Sequence, residues 1–271
     1  AETAILLRQV RALREAGTAV LFTSHKLDEV EEIADDLTIM RDGRVVWTGE
    51  AAQMDQHSMA NAMVGREMSD LFPVKAATPG EVALEVRGLS VPGFSRDIGF
   101  TLRRGEVLGV AGLIGSGRTE TFEGLCGLRP ATGEVRVFGQ PARIDHPWQA
   151  QTLGLCYLTE DRKGKGLLLD EPLATNLTLQ ALDSVHPGTR LDHAGEDRAL
   201  DRAVETYDIR VRNRHLSAGQ LSGGNQQKLL LAKVMLTDPA VVIIDEPTRG
   251  IDIGTKQQMY VLIRRLAAEG R

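Results

Sequence analysis

The stretch Leu221-Ser222-Gly223-Gly224-Asn225-Gln226-Gln227-Lys228 decides how the rest of this sequence is interpreted. A helical pattern of apolar residues follows it, and then an apolar run at 241–244 that ends in Asp245 and Glu246. The adjacent glycines leave the backbone open, and Ser222 can cap the helix. First-turn N–H groups and the helix dipole favour an anion at such a helix start. The stretch therefore predicts a phosphate site close to a buried strand that ends in two acids.

The composition is that of an ordinary globular protein. The chain has 271 residues, 42% hydrophobic and 25% charged, enough for one large or two modest domains. A net charge of −5 argues against a nucleic-acid partner. Cys126 and Cys156 are too few for a disulfide framework or a metal cluster, so we expect both to be reduced and buried. No apolar run approaches the roughly 20 residues that cross a membrane, so any membrane role would need a partner subunit.

The first part of the chain predicts two helices separated by a strand. Residues 3–16 have helical apolar spacing, and Gly17 is a natural stop. The short apolar run 19–23 predicts a strand that leads to His25, and 27–34 predicts the second helix. On its own, a histidine in this place is more often a polar residue at a strand end than a catalyst.

Hairpin and linker signals come next. Two strand-like runs flank Asp42-Gly43, a dipeptide typical of a hairpin turn. The pattern weakens between 50 and 81, where only 54–68 has helical spacing, so a linker is predicted there. The chain then resumes with antiparallel strands at 84–86 and 98–102.

A glycine-rich loop follows a run that is predicted to be a buried strand. Residues 107–111 lead into Gly112-Leu113-Ile114-Gly115-Ser116-Gly117-Arg118-Thr119, and 120–126 suit a helix. This order is typical of phosphate-binding loops, whose N–H groups surround a phosphate while a hydroxyl ligates Mg²⁺. The pattern G-x-x-x-x-G-K-[ST] fails only at Arg118, which is not equivalent to lysine. Nucleotide binding should therefore survive better than hydrolysis, although the loop taken alone could also be an ordinary glycine turn.

The remaining runs complete an alternation of strands and helices. Strands are predicted at 135–138 and 154–159, and helices from Asn176, at 199–207 and at 255–268.

The first and last helices look like the same element of two homologous domains. Ala16-Gly17 aligns with Glu269-Gly270, and the apolar positions of the two helices then coincide. Chance similarity of two amphipathic helices is the alternative explanation. The coinciding pairs are Leu6 with Met259, Val10 with Ile263, and Leu13 with Leu266.

In combination, these motifs closely resemble those of ABC ATPases. The Walker A, signature, Walker B and D-loop motifs correspond to 112–119, 221–228, 241–246 and 250–252, and Ser24-His25-Lys26 resembles the switch-histidine loop. The exact residues of these motifs point to a narrower group within the family. They resemble the second nucleotide-binding domain of the tandem ATPase subunits of bacterial simple-sugar importers, such as the ribose, galactose or xylose types.

The resemblance covers essentially the whole chain and implies an α/β fold. That fold is a P-loop NTPase core with an antiparallel β subdomain and a helical signature subdomain. Residues 1–50 would be the C-terminal portion of a first nucleotide-binding domain, and 51–81 the interdomain linker, whose motif is similar to 63–73 here. Residues 82–271 would be a second domain, truncated after the D-loop helix.

The resemblance also implies roles for individual residues. Thr119 and Asp245 would hold Mg²⁺, Glu246 would polarise the attacking water, and His25 would serve the first domain's site. The implied nucleotide-binding residues are Gly112, Gly115, Ser116, Gly117, Arg118, Thr119, Glu160, Ser222, Gly223, Gly224 and Gln226.

Two residues depart from the family's pattern at one site. Arg118 replaces the loop lysine, and Glu160 stands where the Q-loop glutamine is usual, while the signature stretch is intact. We therefore expect the Arg118 site to bind nucleotide mainly. The signature would complete a stronger ATPase site on the missing first domain, and the isolated chain would hydrolyse ATP weakly or not at all.

The predicted function is that of an ATP-hydrolysing subunit at the cytoplasmic face of the membrane. It would drive simple-sugar import through transmembrane permease subunits, served by a periplasmic or extracellular sugar-binding protein. One alternative is a tandem ABC ATPase acting on ribosomes or DNA, but 51–81 is not the long basic arm expected there. A regulatory nucleotide-binding module is the other; Arg118 favours it and Glu246 argues against it.

Overall fold

The structure, a computed structural model, describes residues 2–41, 43–65, 79–186, 188 and 190–271. Its residues form two compact units, Ala1–Pro73 with Asp252–Gln258, and Val74–Ile251 with Met259–Arg271. The linker motif predicted at 63–73 falls mostly outside the described residues. The helices of the described chain are α1 (Glu2–Glu15), α2 (Leu27–Ile33), α3 (Gln56–Val64), α4 (Arg118–Leu125), α5 (Pro147–Thr152), α6 (Leu173–Thr178), α7 (Leu182–Val185), α8 (His193–Thr206), α9 (Gly223–Met235) and α10 (Ile253–Ala268).

The strands form three small sheets with the orders β1-β2, β4-β3-β5-β6 and β7-β8. The mixture of helices and strands confirms the predicted α/β class. The strands are β1 (Asp36–Arg41), β2 (Arg44–Glu50), β3 (Val82–Val91), β4 (Ser95–Arg103), β5 (Thr132–Val137), β6 (Gln140–Ala142), β7 (Leu155–Leu158) and β8 (Val241–Ile244).

The first unit is organised by the β1-β2 hairpin that the sequence predicts. Its strands pair antiparallel as far as Arg41 opposite Arg44, and Gly43 has a φ of 75°, as a tight turn requires. Helices α2 and α3 cover the hairpin through a small apolar cluster. Helix α3 occupies part of the 54–68 run, with Asp55 as a cap that accepts from the Ser58 N–H at 2.8 Å. The described cluster consists of Leu27, Val30, Ile39, Met59 and Ala60.

In the second unit, β3 is the centre of the antiparallel sheet. It pairs with β4 on one side and β5 on the other, which confirms the strands predicted at 84–86, 98–102 and 135–138. Apolar side chains of β3 pack into a cluster together with α4. Leu84, Val86 and Leu125 are among its most buried members. This packing fixes α4, whose first residues belong to the glycine-rich loop.

The parallel pair β7-β8 places the polar ends of two strands side by side. Their register runs from Leu155 opposite Val241 to Leu158 opposite Ile244. The carboxyl ends of both strands therefore meet at one edge of the sheet, where open α/β sheets bind ligands. A second apolar cluster joins these strands to α6, α8 and α9, so it also fixes the start of α9.

Two predicted strands are wrong. Residues 19–23 and 107–111 have no strand geometry, and Leu21 is 95% exposed while Val110 is 47% exposed. A strand needs a neighbour that takes its backbone hydrogen bonds, and no described strand pairs with either run. Beside 107–110 lies an apolar cavity of about 360 Å³ that side chains of β8 also line. Both runs thus have the apolar composition of a strand, but no neighbouring strand among the described residues pairs with them.

The ends of α1 and α10 support the internal repeat. Gly17 and Gly270 follow the helices with φ of 81° and 85°. The residue after each glycine donates its N–H to an equivalent carbonyl, Leu13 at 3.0 Å in one case and Leu266 at 3.1 Å in the other. Both helices therefore end in the same left-handed glycine cap, in the register that the sequence alignment requires.

Both cysteines are buried and free, which confirms that prediction. Burial, and after it the neighbouring Cys156, raises the pKa of the Cys126 thiol to about 12. Neither thiol is therefore a ready nucleophile. Over the part of the chain that the structure describes, no helix combines the length and the apolar character needed to span a membrane.

Candidate functional site

The glycine-rich loop 112–119 is an open turn between the unpaired run 107–111 and α4. Gly115 and Gly117 both have φ of 82°, a left-handed conformation that favours glycine. A β-carbon on Gly117 would lie 2.5 Å from the Phe94 carbonyl oxygen, so glycine is also needed for close approach. No side chain caps α4 at its start. The first N–H groups of the helix are consequently free to bind an anion.

The end of β8 is joined to the loop by a hydrogen bond between Thr119 and Asp245. The Thr119 hydroxyl donates to the Asp245 carboxylate at 2.7 Å, and the same oxygen accepts from the Tyr157 hydroxyl at 2.9 Å. Burial, and the nearby Asp245 charge, raise the pKa of the Tyr157 phenol, which keeps it a proton donor. The structure thus brings together the two residues expected to hold Mg²⁺.

Arg118 pairs with Glu246 at the same edge. The Arg118 Nη1 atom lies 3.1 Å from Glu246 Oε1, and both side chains are partly exposed. Glu246 has a φ of 43°, which is strained for a residue with a side chain. Such strain is common at functional sites, where the surrounding structure holds it in place. The departure at Arg118 therefore acts directly on the acid predicted to be catalytic.

The start of α9 is capped as the sequence predicts. The Ser222 hydroxyl accepts from the Asn225 N–H at 3.4 Å and from the Asn225 side-chain amide at 3.1 Å. Gly223 and Gly224 form the first turn of the helix behind this cap. N–H groups and the helix dipole at such a helix start favour an anion.

Gln226 and Lys228 lie beneath that helix start. Gln226, a predicted nucleotide-binding residue, is only 4% exposed, and its amide donates to the Ala218 carbonyl at 3.1 Å. Lys228 is also buried and donates to the Asp208 carbonyl and carboxylate at 2.6 and 3.1 Å. Both side chains are occupied inside the protein. In this structure they anchor the helix start, and the nucleotide-binding role that the resemblance implies for Gln226 stays a prediction.

Glu160 lies at the end of β7, close to the loop that follows β8. Its carboxylate is 2.7 Å from the Arg249 guanidinium. Arg162, two residues further on, donates to the Arg249 carbonyl at 2.9 Å and to Gln226 Oε1 at 3.3 Å. No functional role for Arg162 is predicted from the sequence. Its signal was an arginine in a run of charges after a strand, which does not by itself distinguish a buried contact from a solvated one.

His25 belongs to the other unit and lies in the irregular segment between α1 and α2. Its side chain is exposed. The neighbouring Ser24 and Lys26 both bond to Glu29, at 3.0 and 2.7 Å. These contacts fix the segment on both sides of His25, which itself remains free to face solvent.

Phe94 is an aromatic neighbour of the glycine-rich loop. It lies in the turn between β3 and β4, with its carbonyl against Gly117. Its ring is 48% exposed, and the Arg129 guanidinium lies 5.0 Å from the ring centre. An aromatic ring at the mouth of a phosphate loop is in a position to stack on a base.

Comparison with known proteins gives the same picture at the level of family. The family model described as ABC transporter matches residues 95–249. A xylose import ATP-binding protein of Pseudomonas savastanoi pv. phaseolicola is 43% identical over 99% of this chain and 54% of its own length. A ribose import ATP-binding protein of Rubrobacter xylanophilus is 43% identical over 97% of this chain and 51% of its own. The chain spans about half the length of the curated relatives it matches.

Solved structures confirm the fold. A nucleotide-free ATP-binding cassette from an ABC transporter superposes with a TM-score of 0.59 at 17% identity, over 70% of this chain and 79% of that one. A dimeric cassette in a post-hydrolysis state, bound to ADP and phosphate, gives a TM-score of 0.57 at 20% identity, over 69% and 83% of the two chains. The expected cassette fold with a P-loop core is therefore present.

Proposed function

The chain belongs to the ABC transporter family, and on that premise we propose that it is part of an ATP-hydrolysing subunit that drives import of a simple sugar. The printed names of its relatives, xylose and ribose import ATP-binding proteins, support the sugar class. The single observation that carries the proposal is the hydrogen bond between Thr119 and Asp245 at 2.7 Å. It joins the phosphate loop to the acid-bearing strand end, as nucleotide hydrolysis requires.

We propose the same domain organisation that the motifs indicate. Residues 1–50 are the end of a first nucleotide-binding domain, 51–81 a linker, and 82–271 the greater part of a second domain. The boundary between the compact units, after Pro73, falls within that linker and supports the division. The relatives' greater length supports it as well, because they have room for a second copy of the domain.

Binding of ATP is assigned to backbone groups more than to side chains. Gly112, Gly115, Ser116 and Gly117 present N–H groups to the phosphates, and Arg118 and Thr119 follow at the helix start. Phe94 is placed to stack on the base. Ser222, Gly223 and Gly224 reach the phosphate of a nucleotide held by another domain, with Gln226 as their support from inside.

The donor set at the loop fits Mg²⁺. A hydroxyl and a carboxylate are the hard oxygen ligands that this ion prefers, and Thr119 and Asp245 present one of each at hydrogen-bond distance. When bound, the ion would neutralise charge on the phosphate oxygens. Tyr157 keeps the Asp245 carboxylate in its orientation.

Arg118 explains why this site would bind nucleotide better than it hydrolyses it. Glu246 can accept a proton from water only if its carboxylate is free, and here Arg118 holds it at 3.1 Å. Glu160, which replaces the usual glutamine, is also paired, with Arg249. The main hydrolytic site is then the composite one, to which this chain contributes the Ser222–Gly224 helix start. His25 would act at that first-domain site.

The partners proposed are the transmembrane permease subunits and, through them, a sugar-binding protein outside the membrane. The subunit would lie at the cytoplasmic face of the membrane. Co-purification of the full-length subunit with its permease tests this assignment, and transport of labelled ribose, galactose and xylose in vesicles would identify the sugar.

Single-turnover ATP hydrolysis by the full-length subunit tests the division of labour. We expect Glu246→Gln to leave most of the turnover intact, because the stronger site uses the equivalent glutamate of the first domain. The matched change in the first domain should abolish turnover. If Glu246→Gln alone abolishes it, the Arg118 site is the active one and the assignment is wrong.

A further inference from the structure

Arg162 joins three separate segments of the second unit through one guanidinium. It opens the π-helical segment Arg162–Gly166 after β7. Its Nη1 atom donates to the Arg249 carbonyl at 2.9 Å and its Nη2 atom to the Gly250 carbonyl at 3.4 Å. Its Nε atom donates to Gln226 Oε1 at 3.3 Å. The segment after β7, the loop after β8 and the start of α9 therefore share one side chain.

The guanidinium also lies directly against the phosphate-binding turn. A β-carbon on Gly223 would be 2.9 Å from Arg162 Nη2 and 3.3 Å from the Gly250 carbonyl oxygen. Gly223 is thus the residue that allows the helix start, the loop and Arg162 to pack this closely. A change in the position of Arg162 would be transmitted to the N–H groups of that turn.

The contacts need an arginine rather than any cation. A guanidinium presents five donors in a rigid plane, and here three of its N–H groups are used in different directions. A lysine ammonium on its flexible chain could satisfy one or two of these carbonyl oxygens but could not hold all three acceptors in one plane. Burial lowers the pKa of Arg162 from its ordinary value, as expected for a partly desolvated guanidinium. The side chain is therefore held in the protein rather than by solvent.

We propose that Arg162 is a positioning residue that holds the Ser222–Gly224 helix start in the geometry that receives phosphate from another domain. Gln226 transmits the effect, since its amide is fixed between Arg162 and the Ala218 carbonyl. Arg162 lies two residues after Glu160, so its bond to Gln226 links the segment after β7 to the same helix start. The reaction named here, ATP hydrolysis, rests on the proposed function, whereas the contacts of Arg162 do not.

The test compares Arg162→Lys with Arg265→Lys in the full-length subunit. Arg265 is a matched control because its guanidinium, like that of Arg162, donates to the backbone of a distant segment. Its Nη1 and Nη2 atoms each lie 3.4 Å from the Thr206 carbonyl oxygen. We expect Arg162→Lys to lower kcat for ATP about tenfold while KM changes less than about twofold, the pattern of an interaction needed only in the transition state. Arg265→Lys should leave both constants close to the wild type.

Hydrogen exchange in the full-length subunit provides the readout that does not depend on activity. Arg162→Lys should speed exchange of the Asn225 and Gln226 amides, which are bonded to Ser222, several-fold, with no change at the amides of α8. If kcat and local exchange match the wild type, the proposal is wrong. It is also wrong if both lysine variants lose activity and thermal stability equally. If the wild-type subunit hydrolyses no ATP, the proposed function fails instead, and the exchange result still decides the role of Arg162.

Discussion

The helix starts of α4 and α9 both carry glycines for phosphate, yet they are built in opposite ways. Helix α4 begins at Gly117 in a left-handed conformation with no side-chain cap, whereas Ser222 caps α9. An uncapped start leaves its N–H groups unsatisfied until a ligand arrives. A capped start is stable by itself and needs no ligand to keep its shape. Under the proposed function, this difference would separate a loop that binds its own nucleotide from a rigid surface presented to another domain.

Each of the two helices carries one buried charged residue that pairs with neighbouring segments. Glu123 of α4 is paired with Lys165 and Arg129, and Lys228 of α9 is paired with Asp208. Single buried charges are costly to leave unpaired, so both helices are held firmly in register with their surroundings. The two starts therefore differ in their first turn and not in how the helix behind them is fixed.

The largest effect is expected from Gly117→Ala. The new methyl group would meet the Phe94 carbonyl, and alanine would also be strained at a φ of 82°. We expect Mg-ATP affinity, measured with a fluorescent nucleotide, to fall at least about a hundredfold, since strain and clash together cost roughly 3 kcal/mol.

Gly139→Ala is the control for that change. Gly139 has a similar φ of 76° but nothing within 4 Å of an added β-carbon. It should lose about 1 kcal/mol of stability and keep its nucleotide affinity. Equal affinities for the two variants would show that the close approach at Gly117 does not shape the α4 site.

Arg118→Lys tests whether the ion pair with Glu246 limits hydrolysis at the α4 site. Lysine cannot keep the same planar contact, so Glu246 should be released and turnover at this site should rise about tenfold, the equivalent of about 1.4 kcal/mol. The measurement is single-turnover hydrolysis in the full-length subunit with the first-domain site inactivated. Adding Glu246→Gln should remove the gain. A gain that survives the double change would mean that Arg118 does not act through Glu246.

The anchoring of α4 should depend on pH. Burial pushes the pKa of Glu123 up, but hydrogen bonds and charge from Lys165 and Arg129 outweigh it, so the folded-state pKa lies below the ordinary 4.5. Its contribution to stability is then present above that value and is lost as the pH falls through the folded-state pKa. Glu123→Gln should lower the free energy of unfolding by about 1–3 kcal/mol at pH 7.

The stability gap between the wild type and Glu123→Gln should shrink as the pH falls below about 4.5, the ordinary value for the carboxyl group. Urea unfolding at several pH values measures it. Glu120→Gln is a suitable control, because it changes the same charge on the same helix. A gap that stays constant with pH would contradict the assignment of these ion pairs.

The smallest effect is expected at the cap of α9. Ser222→Ala removes the hydroxyl that accepts from Asn225, and should cost about 1 kcal/mol of unfolding free energy. ATP binding at the α4 loop should not change, because that site uses a different helix start. Denaturant titration of this variant measures the loss of stability, and nucleotide titration measures its affinity for ATP. Loss of nucleotide affinity in Ser222→Ala would mean that the two starts are not independent.

Motif residues were largely predictable because their chemistry is local. Gly115, Gly117 and Ser222 are determined by backbone conformation and capping, which depend on a few neighbouring residues. The hairpin around Gly43 and the glycine caps of α1 and α10 could be predicted from the sequence for the same reason. The family resemblance implied that Thr119 and Asp245 hold Mg²⁺ together, and the structure has the hydroxyl of one 2.7 Å from the carboxylate of the other.

The errors fall where a residue's state depends on distant partners. Residues 107–111 have the composition of a buried strand, but strand formation requires a neighbouring strand that the described chain does not place there. The nucleotide-binding role of Gln226 stays a prediction, and only the structure shows that its amide donates to the Ala218 carbonyl. The contacts of Arg162 could not be predicted, because its acceptors lie 64 to 88 residues further along the sequence.

The sequence by itself therefore determined the family, the α/β class and the two glycine-bearing helix starts. These follow from short-range conformational preferences that a linear motif records. Only the tertiary structure decided that Arg118 holds Glu246 and that Arg162 joins α9 to two other segments. Both depend on side chains brought together by packing, and no local pattern specifies such pairs.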